Sequence, residues 1–99
     1  MRMMLKVTMP VEQGNKAIKE GILQRTINNF VEDFRPEACY FVAEGGKRTG
    51  IFFFDMKETN QIPSVAESFF LNLNADLQMV PVMNLEDVRV GLEKALKSR

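Results

Sequence analysis

Few side chains in this chain of 99 residues have the chemistry for catalysis, and histidine is absent. Histidine is the usual general base near neutral pH and the commonest metal ligand in proteins. Without it, the Ser-His-Asp and Cys-His nucleophile arrangements are excluded. One cysteine and no histidine also argue against a zinc site. We therefore expect no metal and no cofactor.

Tyr40 and Asp55 are the first two candidates for a role at a site. Tyr40 is the one tyrosine, and its hydroxyl could donate a hydrogen bond to a substrate oxygen. The alternative is a tyrosine packed at an interface with its hydroxyl in water. Asp55 could act as a general base if burial raised its pKa. The alternative is a solvated or capping carboxylate at the end of a strand.

Lys6 and Cys39 complete the reactive side chains. Lys6 could bind a substrate carboxylate, or it could extend to solvent or pair with Asp55. Cys39 lies among apolar neighbours and has no histidine to activate it, so we expect a buried, inert thiol.

The composition is that of a single globular domain spanning residues 1–99. Lys+Arg and Asp+Glu number 13 each, so the net charge is zero, and we expect neither nucleic acid nor a membrane as a partner. No apolar stretch approaches the roughly 18 residues of a membrane span. The N-terminal segment is too short for a signal peptide. A lone cysteine cannot form an intrachain disulfide, so we expect a cytoplasmic protein.

Hydrophobic periodicity predicts seven elements. Apolar residues alternate where strands are expected and recur every three or four positions where helices are expected. Gly45-Gly46 predicts a two-residue hairpin turn, and Asn84 is a candidate N-cap. The predicted elements are a strand over 3–9, one helix over about 12–34, strands over 39–44 and 47–56, a helix over 62–73, a strand over 77–83 and a helix over 85–96.

The order β-α-β-β-α-β-α predicts an α+β fold. Right-handed crossovers around a central hairpin make a ferredoxin-like split βαβ sandwich with an additional C-terminal helix. Its four-stranded antiparallel sheet carries the helices on one face and leaves the other face open.

The run Ile51-Phe52-Phe53-Phe54 does not alternate, which indicates a strand buried on both faces. We assign Phe52 and Phe54 to the helices, and Ile51 and Phe53 to the open face. The chain has little left to cover the open face, so a second chain or a ligand is expected there.

The open face then combines apolar side chains with a few polar ones, as small-molecule sites usually do. The six candidates for a ligand pocket are Lys6, Thr8, Tyr40, Phe53, Asp55 and Gln78.

The chain resembles the dimeric α+β barrel superfamily and its small bacterial members of unknown function. The resemblance rests on the element order with a trailing helix, on the Ile51–Phe54 strand, and on Pro81-Val82-Met83 before Asn84-Leu85-Glu86. It implies a homodimer whose sheets pack face to face, with a cavity between each sheet and the neighbouring elements. Members include antibiotic-biosynthesis-type monooxygenases, muconolactone isomerase-like enzymes, haem-degrading enzymes and chlorite dismutase-like proteins. Those that hold haem through histidine cannot be templates for this chain.

Two functions stay open on the sequence, and with them whether the protein is an enzyme. The first is a homodimeric barrel that binds a small, partly apolar organic molecule, including the case of a cofactor-independent oxygenase or isomerase. The alternative is a non-catalytic ligand-sensing or interaction module. RNA binding is disfavoured: residues 48–54 resemble the aromatic third-strand motif of an RRM, but Leu5–Thr8 offers no stacking aromatic.

Overall fold

The computed structural model describes residues 1–97 and contains one four-stranded antiparallel sheet. The strands are β1 (Arg2–Thr8), β2 (Ala38–Glu44), β3 (Lys47–Asp55) and β4 (Asp76–Pro81), in the spatial order β2-β3-β1-β4. The helices are α1 (Val11–Lys19), α2 (Ile22–Phe34), α3 (Ile62–Leu73), which a short 3-10 helix over Thr59–Gln61 precedes, and α4 (Leu85–Lys97). This α+β arrangement is consistent with a ferredoxin-like sandwich, as the sequence predicts.

The prediction of a single helix over residues 12–34 is wrong. Gly21 adopts a left-handed conformation with φ of 74° and separates α1 from α2. Its backbone N–H donates to the carbonyl of Ile18 and closes the end of α1. Glycine has no Cβ and takes a positive φ at little cost, so it can end one helix and begin the next in a new direction.

The hairpin between β2 and β3 turns at the glycine pair, as predicted. Gly45 and Gly46 have φ of 59° and 77°, and Glu44 stands opposite Lys47. Positive φ at both central positions is what a two-residue hairpin turn of this kind requires.

The core lies between the sheet and helices α1 to α3. Leu5, Phe52 and Phe54 are almost fully buried on the helix-facing side, which confirms their predicted register. Phe30 of α2 packs its ring 5.1 Å from that of Phe52 and 5.4 Å from that of Phe54. Burial of each such side chain contributes about 1.5–3 kcal/mol.

The opposite face of the sheet stays exposed among the described residues. Ile51 and Phe53 of β3 are only partly buried there. On β2, Tyr40 and Val42 are 60% and 44% exposed. The run Ile51–Phe54 therefore divides its side chains between a closed core and an open apolar surface.

Helix α4 stands away from the sandwich. Asn84 and Asp87 cap its start, because each accepts a hydrogen bond from the backbone N–H of the other. None of its described residues is buried, and Leu85 is 86% exposed. The radius of gyration is 16.0 Å, against about 13 Å for a compact domain of this length.

Candidate functional site

A cavity of about 310 Å³ lies between the helix-facing side of the sheet and helices α2 and α3. The β2–β3 hairpin forms one wall, through Phe41, Ala43 and Gly50. The residues opposite are largely aliphatic or aromatic. They include Val7, Leu23, Ile27, Phe69 and Leu73.

Gly50 lies in the wall of the cavity. This residue occupies the interior of β3, opposite Val7 of β1 and Phe41 of β2. A Cβ atom at Gly50 would stand 2.9 Å from Cε2 of Phe52 and 3.4 Å from Cε1 of Phe41. Any larger residue would therefore displace these rings, so this position of the strand suits glycine.

Arg48 is the one charged residue among the described residues that line the cavity. It lies two residues before Gly50, so it shares the helix-facing side of β3, where it lines the cavity and is partly buried. Its Nη1 atom reaches α1, 2.8 Å from where a Cβ on Gly14 would stand. Among the described residues, none of the ion pairs involves Arg48.

The other polar side chain in the described lining, that of Thr49, already has a hydrogen-bond partner. Thr49 is 2% exposed, and its hydroxyl donates a hydrogen bond of 3.2 Å to the carbonyl of Lys47. Within the described lining, no carboxylate, amine or thiol accompanies Arg48. This arrangement suits holding an apolar body beside one positive charge, and it lacks the pair of titratable groups that general acid–base catalysis uses.

The six residues predicted from the sequence do not line this cavity. They lie on the open face or at its end, and three of them share one cross-strand row. Lys6 stands opposite Gln78 on β4 and opposite Ile51 on β3, and Ile51 stands opposite Tyr40. Thr8 lies on the same face, two residues after Lys6 on β1. Phe53 lies on this face too, two residues after Ile51 on β3. Asp55 lies at the end of β3, opposite Arg2.

Lys6 pairs with Glu44 and not with Asp55. Its Nζ lies 2.5 Å from a carboxylate oxygen of Glu44. Because these residues belong to β1 and β2, the ion pair spans β3 on the open face. Asp55 stands opposite Arg2, four residues along β1 from Lys6, so the alternative pairing with Asp55 is wrong.

Asp55 is a solvated carboxylate in an ion-pair cluster. It is 59% exposed, and its oxygens lie 2.6 Å from the Met1 amino group and 3.4 Å from Nζ of Lys57. Hydrogen bonds from these two cations lower its pKa below the ordinary value. The raised pKa that a general base would need at this position is absent.

Cys39 agrees with the less reactive of its two interpretations, whereas the predicted packing of Tyr40 at an interface stays a prediction. Cys39 packs against the core, and its burial raises the pKa of the thiol. A raised pKa leaves less thiolate at neutral pH. Tyr40, 60% exposed, keeps its ring on the open face.

A second, polar recess lies at the end of the sheet near Arg2, Glu37 and Asp55. The guanidinium of Arg2 lies 2.5 Å from the carboxylate of Glu37, and Asp55 is held by Met1 and Lys57. These charges already neutralise one another, so the recess offers little to a ligand.

Comparison of the sequence with models of known protein families and with curated proteins finds no match. The similarity to the dimeric α+β barrel superfamily therefore rests on the fold and stays an expectation. Within residues 1–97, no helix is both long enough and apolar enough to cross a membrane. No group of three or more cysteine or acidic residues in that range is placed to hold a metal ion.

Proposed function

We propose that this protein is a homodimer that binds a small, largely apolar organic molecule in the cavity beside Gly50. The observation that carries the proposal is the cavity itself, about 310 Å³ of space with a largely apolar lining that includes a glycine in the interior of a strand. The cavity is partly open to solvent, and Phe41 in its wall is 59% exposed, so a ligand can enter it. Small-molecule sites begin at about this volume.

The volume limits the size of the ligand. A water molecule occupies about 30 Å³ in the liquid, so the cavity is equivalent to about ten waters. It therefore suits a ligand on the order of ten non-hydrogen atoms, and the phenylalanine and aliphatic walls favour a hydrocarbon chain or a single ring.

Binding without catalysis agrees best with the lining. Arg48 is the one charged residue among the described residues that line the cavity, and arginine does not give up its proton in proteins. No second titratable side chain that could accept or donate a proton lies beside it in the described lining. This favours the ligand-sensing alternative over an oxygenase or isomerase at this cavity.

The open face of the sheet supports a homodimer. Ile51, Phe53, Met4 and Val80 make a continuous apolar surface in adjacent strands. Acidic and basic residues both border it, and the chain carries no net charge. A second copy can therefore approach the same surface without net repulsion, and a shared apolar core would stabilise a domain as small as this.

Helix α4 supplies a second surface for the same partner. Its apolar side chains Leu85, Leu92 and Leu96 are 86%, 57% and 71% exposed. Isolated helices shorter than about 12–15 residues are marginal in water. This 13-residue helix buries none of its residues against the part of the chain that the structure describes, so further packing would stabilise it. Packing against the second copy would cover this stripe.

Sedimentation equilibrium at micromolar concentration tests the dimer. We expect twice the monomer mass for the wild type and monomer for Ile51→Glu, which places a charge in the apolar surface. Ile18→Glu is the matched control, since Ile18 is 38% exposed on α1 and outside that surface. A wild-type monomer, or a dimer unaffected by Ile51→Glu, would reject the proposed interface.

A titration of the ¹H–¹⁵N amide spectrum with 1-octanol tests the ligand site. We expect saturable shifts in the wild type, centred on the amides around Gly50. Absence of saturable shifts would refute the proposal that this cavity holds a small apolar molecule.

A second candidate function uses the open-face row. Lys6, Gln78 and Tyr40 lie in one cross-strand row. In a face-to-face dimer this row could form a second, catalytic cavity of the oxygenase or isomerase kind. Turnover in a substrate screen that Tyr40→Phe abolishes would support this function, and turnover unchanged by Tyr40→Phe would exclude Tyr40 from it.

A further inference from the structure

We infer that the ligand of the cavity is an organic monoanion with an apolar body, and that Arg48 binds its carboxylate. This inference rests on the proposed ligand-binding function and specifies the chemical class of the ligand. Its starting point is Arg48, whose side chain lines an otherwise apolar cavity and has no carboxylate beside it among the described lining residues.

Arg48 differs from the other described arginines in combining partial burial with the lack of an ion pair. Arg2 pairs with Glu37, and Arg89 pairs with both Glu86 and Glu93. Arg25 and Arg35 also form no ion pair within the described residues, but both are exposed to water. Arg48 is partly buried between β3 and α1, yet no ion pair within the described residues involves it.

The backbone holds Arg48 at this place. Its carbonyl accepts a 3.1 Å hydrogen bond from the N–H of Met9, which ties the start of β3 to the segment after β1. Gly14 of α1 leaves room for the guanidinium, because a Cβ there would lie 2.8 Å from Nη1. The glycine therefore allows Nη1 of Arg48 to lie close to the helix.

One guanidinium suits one carboxylate. Its planar donors match the two oxygens of a carboxylate, and the bond is stronger where water is partly excluded. The described lining contains no second cation, so a dianion such as a phosphate monoester would keep an uncompensated charge. The volume of about 310 Å³ then leaves space for an apolar body about the size of a medium fatty acid chain or a substituted ring.

The test compares octanoate with 1-octanol, which have the same carbon chain and differ in the charged group. In amide shift titrations we expect octanoate to bind about tenfold or more tightly than 1-octanol, the usual strength of a charge-assisted hydrogen bond. Arg48→Gln should abolish this preference while 1-octanol still binds, and Arg48→Lys should retain part of it. Arg25→Gln is the matched control, because Arg25 is exposed on α2 and does not line the cavity.

The outcomes separate this inference from the proposed function. Equal affinity for the two probes, or a preference unchanged in Arg48→Gln, would overturn the monoanion inference and leave the apolar site in place. Failure of both probes to bind would overturn the proposed function together with the inference.

Discussion

The Nη1 atom of Arg48 lies 2.8 Å from the point that a Cβ atom on Gly14 would occupy. This relationship joins β3 to α1 beside the cavity, and it makes the placement of the charge depend on a residue without a side chain. Gly14 is buried and helical, a position where alanine would otherwise be the better residue.

Gly14→Ala should shift the guanidinium of Arg48 while leaving the stability of the fold nearly unchanged. The far end of the Arg48 side chain can move aside, and alanine favours the helix by roughly 0.5–1 kcal/mol over glycine. We expect the free energy of unfolding in urea to change by less than about 1 kcal/mol. Octanoate binding should weaken several-fold while 1-octanol binding is retained. An unchanged affinity for octanoate would show that Gly14 does not place Arg48.

Gly50→Ala should reduce both stability and ligand binding. The new Cβ would meet the ring of Phe52, which is 1% exposed and would have to shift toward the cavity. Overpacking of this kind costs about 1–3 kcal/mol, measurable by urea unfolding. The displaced rings should also narrow the cavity and weaken the binding of both probes.

Gly91→Ala is the matched control for this substitution. It lies in α4 with nothing within 4 Å of a Cβ, so alanine there should be neutral or stabilise the helix. If Gly50→Ala matched Gly91→Ala in unfolding and in binding, the close approach of the Phe52 ring to Gly50 would matter neither to stability nor to the cavity.

Leu92→Glu should weaken the dimer without unfolding the subunit. Leu92 is 57% exposed on α4, so the monomer loses little packing, whereas a buried charge would oppose association. We expect the dimer dissociation constant to rise about tenfold or more in sedimentation equilibrium. Leu71→Glu, at a 76% exposed position of α3, should leave it unchanged. Equal effects of the two substitutions would argue against a role for α4 in the interface.

Asp55 should titrate below the ordinary range. Hydrogen bonds from the Met1 amino group and from Lys57 lower its pKa in the folded state. The pairing therefore stabilises the fold above the unfolded-state pKa, about 3.9, and this contribution is lost as the pH falls through the lower folded-state pKa. NMR titration of the carboxyl group should show this low midpoint. The midpoint should move upward in Lys57→Gln, because one of the cations that lower the pKa is removed. A midpoint above the ordinary value in the wild type would contradict this and restore Asp55 as a candidate general base.

Much of the fold was predictable because it follows from local periodicity. Alternation in β1 placed Leu5 and Val7 in the core, and Gly45-Gly46 identified the hairpin. The split of the first helical segment was missed because its apolar spacing continues through Gly21. Only the left-handed conformation of that glycine shows the break.

The cavity was not predictable to the same degree. Alternation identified the open face, where an apolar surface suggested a site, but the cavity lies on the helix-facing side. It depends on how the Phe41 and Phe52 rings stand around Gly50, a tertiary arrangement that periodicity does not encode. One signal was present in the sequence: a glycine inside a strand, two residues after an arginine.

A map of amide shifts on titrating the wild-type protein with 1-octanol tests the ligand site most directly. We expect saturable shifts at Val7, Gly50 and Leu73, which line the cavity. We expect none at Lys6 or Gln78, which lie on the open face. Shifts concentrated at Lys6 and Gln78, or no saturable shifts anywhere, would contradict the proposed ligand site.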